Sequence, residues 1–545
     1  MDNKFFRSNV VYQIWPRSFC DSNGDGIGDI NGIISKLDYL VSLGIGIVWL
    51  SPVYKSPNFD YGYDISDYFS INPEFGTLAD MDRLIAEAKK RGIRIVMDLV
   101  VNHTSDQHRW FVLSQNPSSP YHAFYYWRKG RNGNTEPPNN WTSDFGGSAW
   151  TYVPSVGEWY LHLFAKEQPD LDWHNPDVLH EVERILRFWL DRGVYGFRCD
   201  VINQIWKETL DDGKKTPYVV GIEHYLMKDG NHEILRTLNR DVFSHYDCMT
   251  VGETYNVDIA NAKRFLDHEL DMVFEFEHSS LDKGSVPIFH KRYQPKKMKE
   301  CLIRWQKEID WNANYFENHD QLRSIDRYGN AKRYWKQSGK MLATLLMTMR
   351  GTPYVYMGEE LGMLNVRPMF KPAEYKDGVN HFIYKTLKSY HFPESICRKL
   401  VNNSNRDNSR VPMQWTAGIN AGFSGGTPWI RLNSNYKQIN AEKEASESDS
   451  ILHYYKQIIA LRQNDPCLTY GNFEPLKTPG ALFAFLRSYK GAMDLVIINL
   501  SKHRLAIPRS LQTEKATVLL TNYKGAAFAY KKHLRPYECF ICKIH

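Results

Sequence analysis

Three carboxylates in this chain, Asp200, Glu253 and Asp320, each follow a short apolar run rich in Val, Ile and aromatic residues. Each has polar company. Arg198 lies two residues before Asp200, Asn318 and His319 directly precede Asp320, and Asp98, Asn102 and His103 close another run of the same kind. A single aspartate at a strand end is ordinarily a cap or half of an ion pair. Three on separate runs, flanked by an arginine and two histidines, describe a site. No cluster of Cys and His has zinc-ligand spacing, so the carboxylates themselves must act as acid, base and nucleophile on an uncharged substrate. Glycoside cleavage is the leading match. The 15 Trp and 33 Tyr suit it, because sugar rings pack their apolar faces on aromatics, although a rich core would use them equally.

These residues need a scaffold that brings distant segments together. Eight apolar runs begin at Val10, Ile47, Ile93, Gly196, Cys248, Met272, Asn314 and Thr352, and each ends abruptly in polar residues. Between them lie amphipathic helical patterns such as DMDRLIAEAKKRG and DVLHEVERILRFWLDRG, the second closing on Arg192 and Gly193 as a helix C-terminus should. Alternating strands and helices give a parallel sheet. Strands this apolar must be covered on both faces, which a closed (β/α)₈ TIM barrel achieves. An open doubly wound sheet is the alternative, but no glycine-rich phosphate fingerprint follows the first strand. In a barrel the C-terminal strand ends share one mouth, so Asp98, Asn102, His103, Arg198, Asp200, Glu253, Asn318, His319 and Asp320 converge there.

Two breaks in the spacing place further units. The barrel takes residues 1–103, a small domain rich in Trp, Gly, Pro, Asn and Ser is inserted over 104–175, the barrel resumes over 176–465, and short strands over 466–545 predict a C-terminal antiparallel β-sandwich. Residues 364–405 show no clear periodicity.

Composition excludes several classes. The 545 residues carry 68 basic and 62 acidic side chains, a net charge of +6 without a long run of one sign, so nucleic acid is not an expected partner. No stretch is apolar enough for a membrane span, and the N-terminus has no signal-peptide core, so a cytoplasmic location is expected. The eight cysteines are scattered and read as free thiols, mostly buried. The expected partner is a small oligosaccharide and the expected state a monomer.

The segments DLVVNH, GFRCDVIN, VGET and FENHD, in this order and spacing, resemble the four signature regions of the α-amylase family of retaining glycoside hydrolases. VVYQIWPRSF, SPNFDYGYDISDY, FGGSAW, QPDLDW and RDNSRVPMQW are similar to its branch of oligo-1,6-glucosidases and dextran glucosidases, which also holds trehalose-6-phosphate hydrolases and sucrose isomerases. The resemblance implies Asp200 as nucleophile, Glu253 as general acid and base, and Asp320 as the carboxylate that holds sugar hydroxyls. It implies His103 and His319 as hydrogen-bond donors to glucose, Tyr63 as a stacking platform, Asp60 and Arg410 as the pair closing the pocket, and Phe145, Phe164 and Gln168 as lining from the inserted domain. For those last three, plain packing is an equal alternative. Arg198, on the same strand face as Asp200, should keep it ionised, whereas Glu253 should sit in a less charged, more apolar setting that keeps its proton. Val201, after the nucleophile, accompanies α-1,6 specificity in the branch.

The stretch DSNGDGIGDI has the front half of a calcium-loop pattern, but position twelve from Asp21 is Gly32, where an EF-hand needs a bidentate Glu. The resemblance implies instead a structural Ca²⁺, with Mg²⁺ as the alternative, on Asp21, Asn23, Asp25, the Ile27 carbonyl and Asp29. A metal-free turn capped by Asp and Asn is the competing reading. Tyr61, Glu317, Leu322 and Met357 depart from the branch pattern and direct attention to the leaving-group side of the pocket. The activity expected is exo-hydrolysis of α-1,6-linked glucose from isomaltose and isomaltooligosaccharides. The alternatives are a trehalose-6-phosphate hydrolase, whose phosphate Lys and Arg near 323–333 could hold, a sucrose- or isomaltulose-active α-glucosidase, and a catalytically silent sugar-binding relative.

Overall fold

The computed structural model describes residues 4–216, 219–284, 288–512 and 516–545. Its centre is eight parallel strands: Val11–Ile14, Ile47–Leu50, Arg94–Leu99, Gly196–Cys199, Met249–Glu253, Met272–Phe274, Asn312–Asn314 and Gly351–Tyr356. Numbered one to eight along the chain, they lie in the order 6-5-4-3-2-1-8-7, an almost closed barrel with its seam between strands six and seven. Nearly every strand residue is buried. Val11, Ile47, Trp49, Val96, Met249, Val251, Met272, Phe274 and Tyr354 fill the interior, while the outer strand faces meet the helices, as parallel strands require. Strand seven begins two residues before the run read from the sequence, so Asn318, His319 and Asp320 lie on a loop beyond it.

Local signals explain the covering helices. Leu78–Lys90 starts with a capping box between Thr77 and Asp80. Pro176–Asp191 starts on Asn175 with proline in its first turn and stops at Arg192, followed by Gly193 at φ 96°.

Between strands three and four, Trp127–Arg128, Glu158–Leu161 and Trp150–Val153 form a three-stranded antiparallel sheet. Its aromatic core of Tyr126, Trp141 and Trp150 also takes in Tyr225, from the long connection after strand four. That connection therefore packs as part of the inserted unit, which the sequence did not indicate.

The C-terminal strands form a five-stranded antiparallel sheet, Asn472–Leu476, Leu482–Tyr489, Ala492–Asn499, Cys539–Ile544 and Ala516–Thr521 in spatial order, with a two-stranded sheet of Leu505–Ala506 and His533–Leu534. Two fully buried arginines lie at this end of the barrel, Arg462 on the helix Ile451–Asn464 and Arg487 on the sheet strand Leu482–Tyr489, and Arg487 ties the sheet to the barrel. Arg462 donates to the carbonyls of Met347, Met349, Gly351 and Leu468, and Arg487 to those of Thr348 and Gly471. Both thus place positive charge on the carbonyl end of the helix Trp335–Thr348.

Residues 364–405 contain two helices, Gly378–Ser389, capped by Asp377, and Glu394–Ser404. They bury few side chains, so no strong apolar stripe marks them in the sequence. All eight cysteines are free and buried. Among the described residues no helix is long and apolar enough to cross a membrane.

Candidate active site

Strand register sets the first contact. Asp98 of strand three lies level with Arg198 of strand four, and Arg198 Nη1 reaches Asp98 Oδ1 at 2.6 Å. The guanidinium then serves both carboxylates at the barrel mouth, with Nη1 2.5 Å from Asp200 Oδ1 and Nη2 2.6 Å from Glu253 Oε2. Val201 adds its backbone N–H to Glu253 Oε2 at 3.2 Å. It does so from a left-handed conformation, φ 37° and ψ 38°, unusual for a β-branched residue.

Three carboxylates around one guanidinium leave an excess of negative charge. Burial pushes the Asp200 carboxyl well above the ordinary range; Arg198 opposes this, while Glu253 and Asp98 add to it. Arg198 therefore works against the rise as expected, without outweighing burial and the neighbouring carboxylates. The expected apolar setting of Glu253 is also corrected. Its side chain is 15% exposed against 8% for Asp200, and it accepts two hydrogen bonds. Glu253 thus sits beside a guanidinium and a backbone N–H rather than against an apolar lining.

Opposite this centre, the His319 ring lies between Trp15 and Tyr63, stacked on each at 5.2 and 5.4 Å. Its Nδ1 accepts from the Gln13 amide at 2.8 Å, which leaves Nε2–H facing Tyr63 Oη at 2.7 Å and Asp320 Oδ2 at 3.1 Å. Asp320 Oδ1 binds Arg410 at 2.8 Å and Arg406 at 3.1 Å. Burial alone would raise the Asp320 carboxyl, but His319, Arg406 and Arg410 hold it well below the usual range. His103 Nε2 lies 3.1 Å from the Tyr63 carbonyl and 3.1 Å from the Gln168 amide, and burial lowers its pKa to about 4, so it is a neutral donor at working pH. Phe164 packs on His103 at 5.2 Å and Phe145 on Phe164 at 5.8 Å. The residues read from the inserted domain thus meet the barrel residues in one pocket.

Asp60 requires a correction. Its cation is Arg406, at 3.7 Å, whereas Arg410 turns to Asp320 and to the face of Trp15. Gln168 adds a 3.4 Å contact to Asp60, and burial pushes the Asp60 carboxyl up to about 7 against the pull of Arg406 and Arg410. Arg406, missed in the sequence, ties Asp60, Asp320 and Asp377 together. Its place four residues before Arg410 was the available signal. Also missed was buried Lys207, which bonds Asp170 at 2.6 Å and Asn102 at 2.7 Å behind His103.

Of the four unusual residues, Tyr61 and Leu322 are half-buried and the other two are buried. Glu317 is buried against Arg323 and Ser324, Met357 is buried, and Tyr61 bonds the Lys376 carbonyl and packs on Trp429. Arg323 and Arg327 likewise spend their guanidinium groups on Glu317 and Asp282, so neither is available to a phosphate.

Away from the pocket, the loop 21–29 is a chain of Asx turns. Asp21 accepts from the N–H groups of Asn23, Gly24 and Gly26, Asn23 from Asp25, and Asp25 from Ile27. Asp29 caps the helix Ile30–Ser35 and binds Ser22. The loop docks on residues 423–429 through Asp21 N–H to Phe423 and Trp429 N–H to Gly26.

Two carboxylates on one guanidinium at a barrel mouth, with a third held ionised beside two arginines, are the arrangement of a glycoside hydrolase on a (β/α)₈ barrel. The chain belongs to the α-amylase family: residues 13–471 match the model of the alpha amylase catalytic domain. The oligo-1,6-glucosidase of Parageobacillus thermoglucosidasius is 46% identical, covering 100% of both chains. Among solved structures, the trehalose-6-phosphate hydrolase of Bacillus licheniformis superposes with a TM-score of 0.92 at 41% identity, covering 99% of this chain and 100% of the other. The isomaltulose synthase of Klebsiella sp. LX3 gives 0.94 at 39%, covering 100% of each.

Proposed function

We propose that the chain is an exo-acting retaining α-glucosidase that removes α-1,6-linked glucose from the non-reducing end of isomaltose and isomaltooligosaccharides. The observation that carries the mechanism is the bridge from one guanidinium to both Asp200 and Glu253. Two carboxyls held by one guanidinium suit retention, which needs them about 5 to 5.5 Å apart. Asp200 Oδ attacks the anomeric carbon while Glu253 gives its proton to the departing glycosidic oxygen. Glu253, now a carboxylate, takes a proton from water, which attacks the anomeric carbon and releases Asp200. Asp320, His103 and His319 hold the glucose hydroxyls, and Asp60 with Arg406 closes the far end.

The linkage follows the oligo-1,6-glucosidase at 46% identity and Val201 after the nucleophile. The commitment of Arg323 and Arg327 to internal carboxylates takes two of the four cations over 323–333 away from a phosphate, leaving the exposed Lys332 and Arg333. The intact set of Asp200, Glu253 and Asp320 disfavours a silent relative. The test is product release from isomaltose, maltose, sucrose and trehalose 6-phosphate, with the anomer of the first-formed glucose read by NMR. Fastest release from isomaltose with an α anomer is expected; a preference for trehalose 6-phosphate or a β anomer would overturn the reading.

A calcium ion on Asp21, Asn23, Asp25, the Ile27 carbonyl and Asp29 belongs to the same proposal. The donors are all oxygen, as a hard cation requires. The three carboxylates accept from backbone N–H groups and from Ser22 and Ser424, so a cation would add positive charge to a loop already folded around its oxygens. Its role is to fix the loop against residues 423–429.

A further inference from the structure

The helical pair in 364–405 touches the inserted domain through one ring. Phe382 lies on the helix Gly378–Ser389, and its side chain is seated on the backbone of Gly146: a Cβ built on that glycine would lie 2.1 Å from Cζ and 2.2 Å from Cε1 of Phe382. Gly146 is also left-handed, at φ 94°, so space and backbone both require a glycine. The preceding residue, Phe145, lies under the guanidinium of Arg406 at 5.6 Å. Arg406 binds Asp377, the cap of the Phe382 helix, and also Asp320 and Asp60. Contacts therefore close a circuit from Arg406 through Asp377 and Phe382 to Gly146, Phe145 and back. The Phe382 ring remains 44% exposed, so it stands at a rim and is not ordinary core packing.

We propose that Phe382 is a latch that closes the non-reducing side of the pocket, and so is a specificity-determining residue for exo-action. The inference rests on the exo-glucosidase reading given above. A chain that continued beyond the terminal glucose would have to leave past Asp60 and Arg406, between the helical pair and the inserted domain. Phe382 on Gly146 occupies that gap with a rigid ring whose partner offers no side chain to swing aside. The cleaved bond lies on the opposite side of the glucose, beside Glu253, so the latch restricts which sugars enter without touching the reacting atoms.

The test uses 4-nitrophenyl α-isomaltoside and asks which products form first. An exo enzyme releases glucose and 4-nitrophenyl α-glucoside; an enzyme open at the far end also releases isomaltose and nitrophenol directly. Phe382→Ala should release isomaltose and 4-nitrophenol directly where the wild type releases only glucose and 4-nitrophenyl α-glucoside, as a pocket wall that discriminates between sugars would, and Phe382→Leu should do so to a smaller extent. Turnover of 4-nitrophenyl α-glucoside should stay within about threefold of wild type, which a merely structural defect would not preserve. If Phe382→Ala does not fold, Phe382→Leu decides alone. Wild-type release of isomaltose would defeat the exo reading itself. Wild type and folded variants that all release only glucose would leave that reading standing and overturn the latch.

Discussion

Asp98 and Arg198 face each other across strands three and four, 2.6 Å apart and closed to solvent, and this buried pair aims the rest of the guanidinium at Asp200 and Glu253. A charged group at this depth persists only with fixed partners. Arg198 is thus the hub on which Asp200 and Glu253, the proposed nucleophile and acid, are mounted.

The hub carries more negative than positive charge, so removing one carboxylate relieves it. Asp200→Asn should lower kcat by about 10⁴ or more, as loss of a nucleophile does, yet leave Tm unchanged or higher, since catalytic charge is kept at a cost in stability. The pH dependence has a definite sign. Because the folded state raises the Asp200 pKa, its contribution to stability is complete below the unfolded value of about 3.9 and is lost as pH rises through the folded one. Thermal melts of wild type and Asp200→Asn across pH should show a fall with rising pH in the first that is reduced in the second. A variant less stable than wild type at neutral pH would contradict this account.

Asp60 titrates in the working range, at about 7. Below that pH it is neutral and can donate to a sugar oxygen; above it, its charge pairs with Arg406. KM for a small α-glucoside should therefore inflect near pH 7 while kcat does not, and Asp60→Asn should remove the inflection. Steady-state kinetics from pH 5.5 to about 8.5 bracket that value. An inflection that survives in Asp60→Asn would assign it to another group.

The loop 21–29 gives a stability prediction. If calcium binds there, oxygen-to-metal distances should be about 2.3 to 2.6 Å, and saturating calcium at about 100 times Kd should add about 2.7 kcal/mol by mass action. Exhaustive chelation should lower Tm, restored by Ca²⁺, while Asp21→Ala with Asp25→Ala should melt low and ignore the ion. An unchanged Tm after chelation of the wild type would exclude the site.

The barrel was legible because its strands are buried on both faces and so stand out as unbroken apolar runs, each with its polar end marked. Asp200, Glu253 and Asp320 stood out for that reason. The partners of those residues were less visible, since a pairing such as Arg406 with Asp60 crosses hundreds of residues and leaves no periodicity. The setting of Glu253 was misread because Arg198 reaches across from the neighbouring strand to bind it, where an apolar wall was expected. The helices of 378–404 were hidden by their exposed faces, and the role of Glu317 by the need to see Arg323 and Ser324 fold back on it.

Val201 gathers backbone and specificity in one residue. Its left-handed φ of 37° is the strain that turns its N–H to Glu253 Oε2 at 3.2 Å, at a cost of about 1 to 3 kcal/mol for such a conformation. On the mechanism proposed above, a residue whose N–H meets Glu253 borders the path of the departing sugar's oxygen. Val→Thr keeps the volume but adds a hydroxyl beside that oxygen, a change worth about 1 to 3 kcal/mol in discrimination. Val201→Thr should therefore shift the ratio of kcat/KM for isomaltose over maltose toward maltose by about tenfold, with Tm little changed, because Thr is β-branched as well and keeps the strain. Val201→Gly should release the strain and raise or preserve Tm, yet lower kcat on both sugars by loosening the N–H that holds Glu253. A ratio that Val201→Thr leaves untouched would place linkage specificity elsewhere in the pocket, and a Val201→Gly variant of full activity would show that Glu253 is positioned by Arg198 alone.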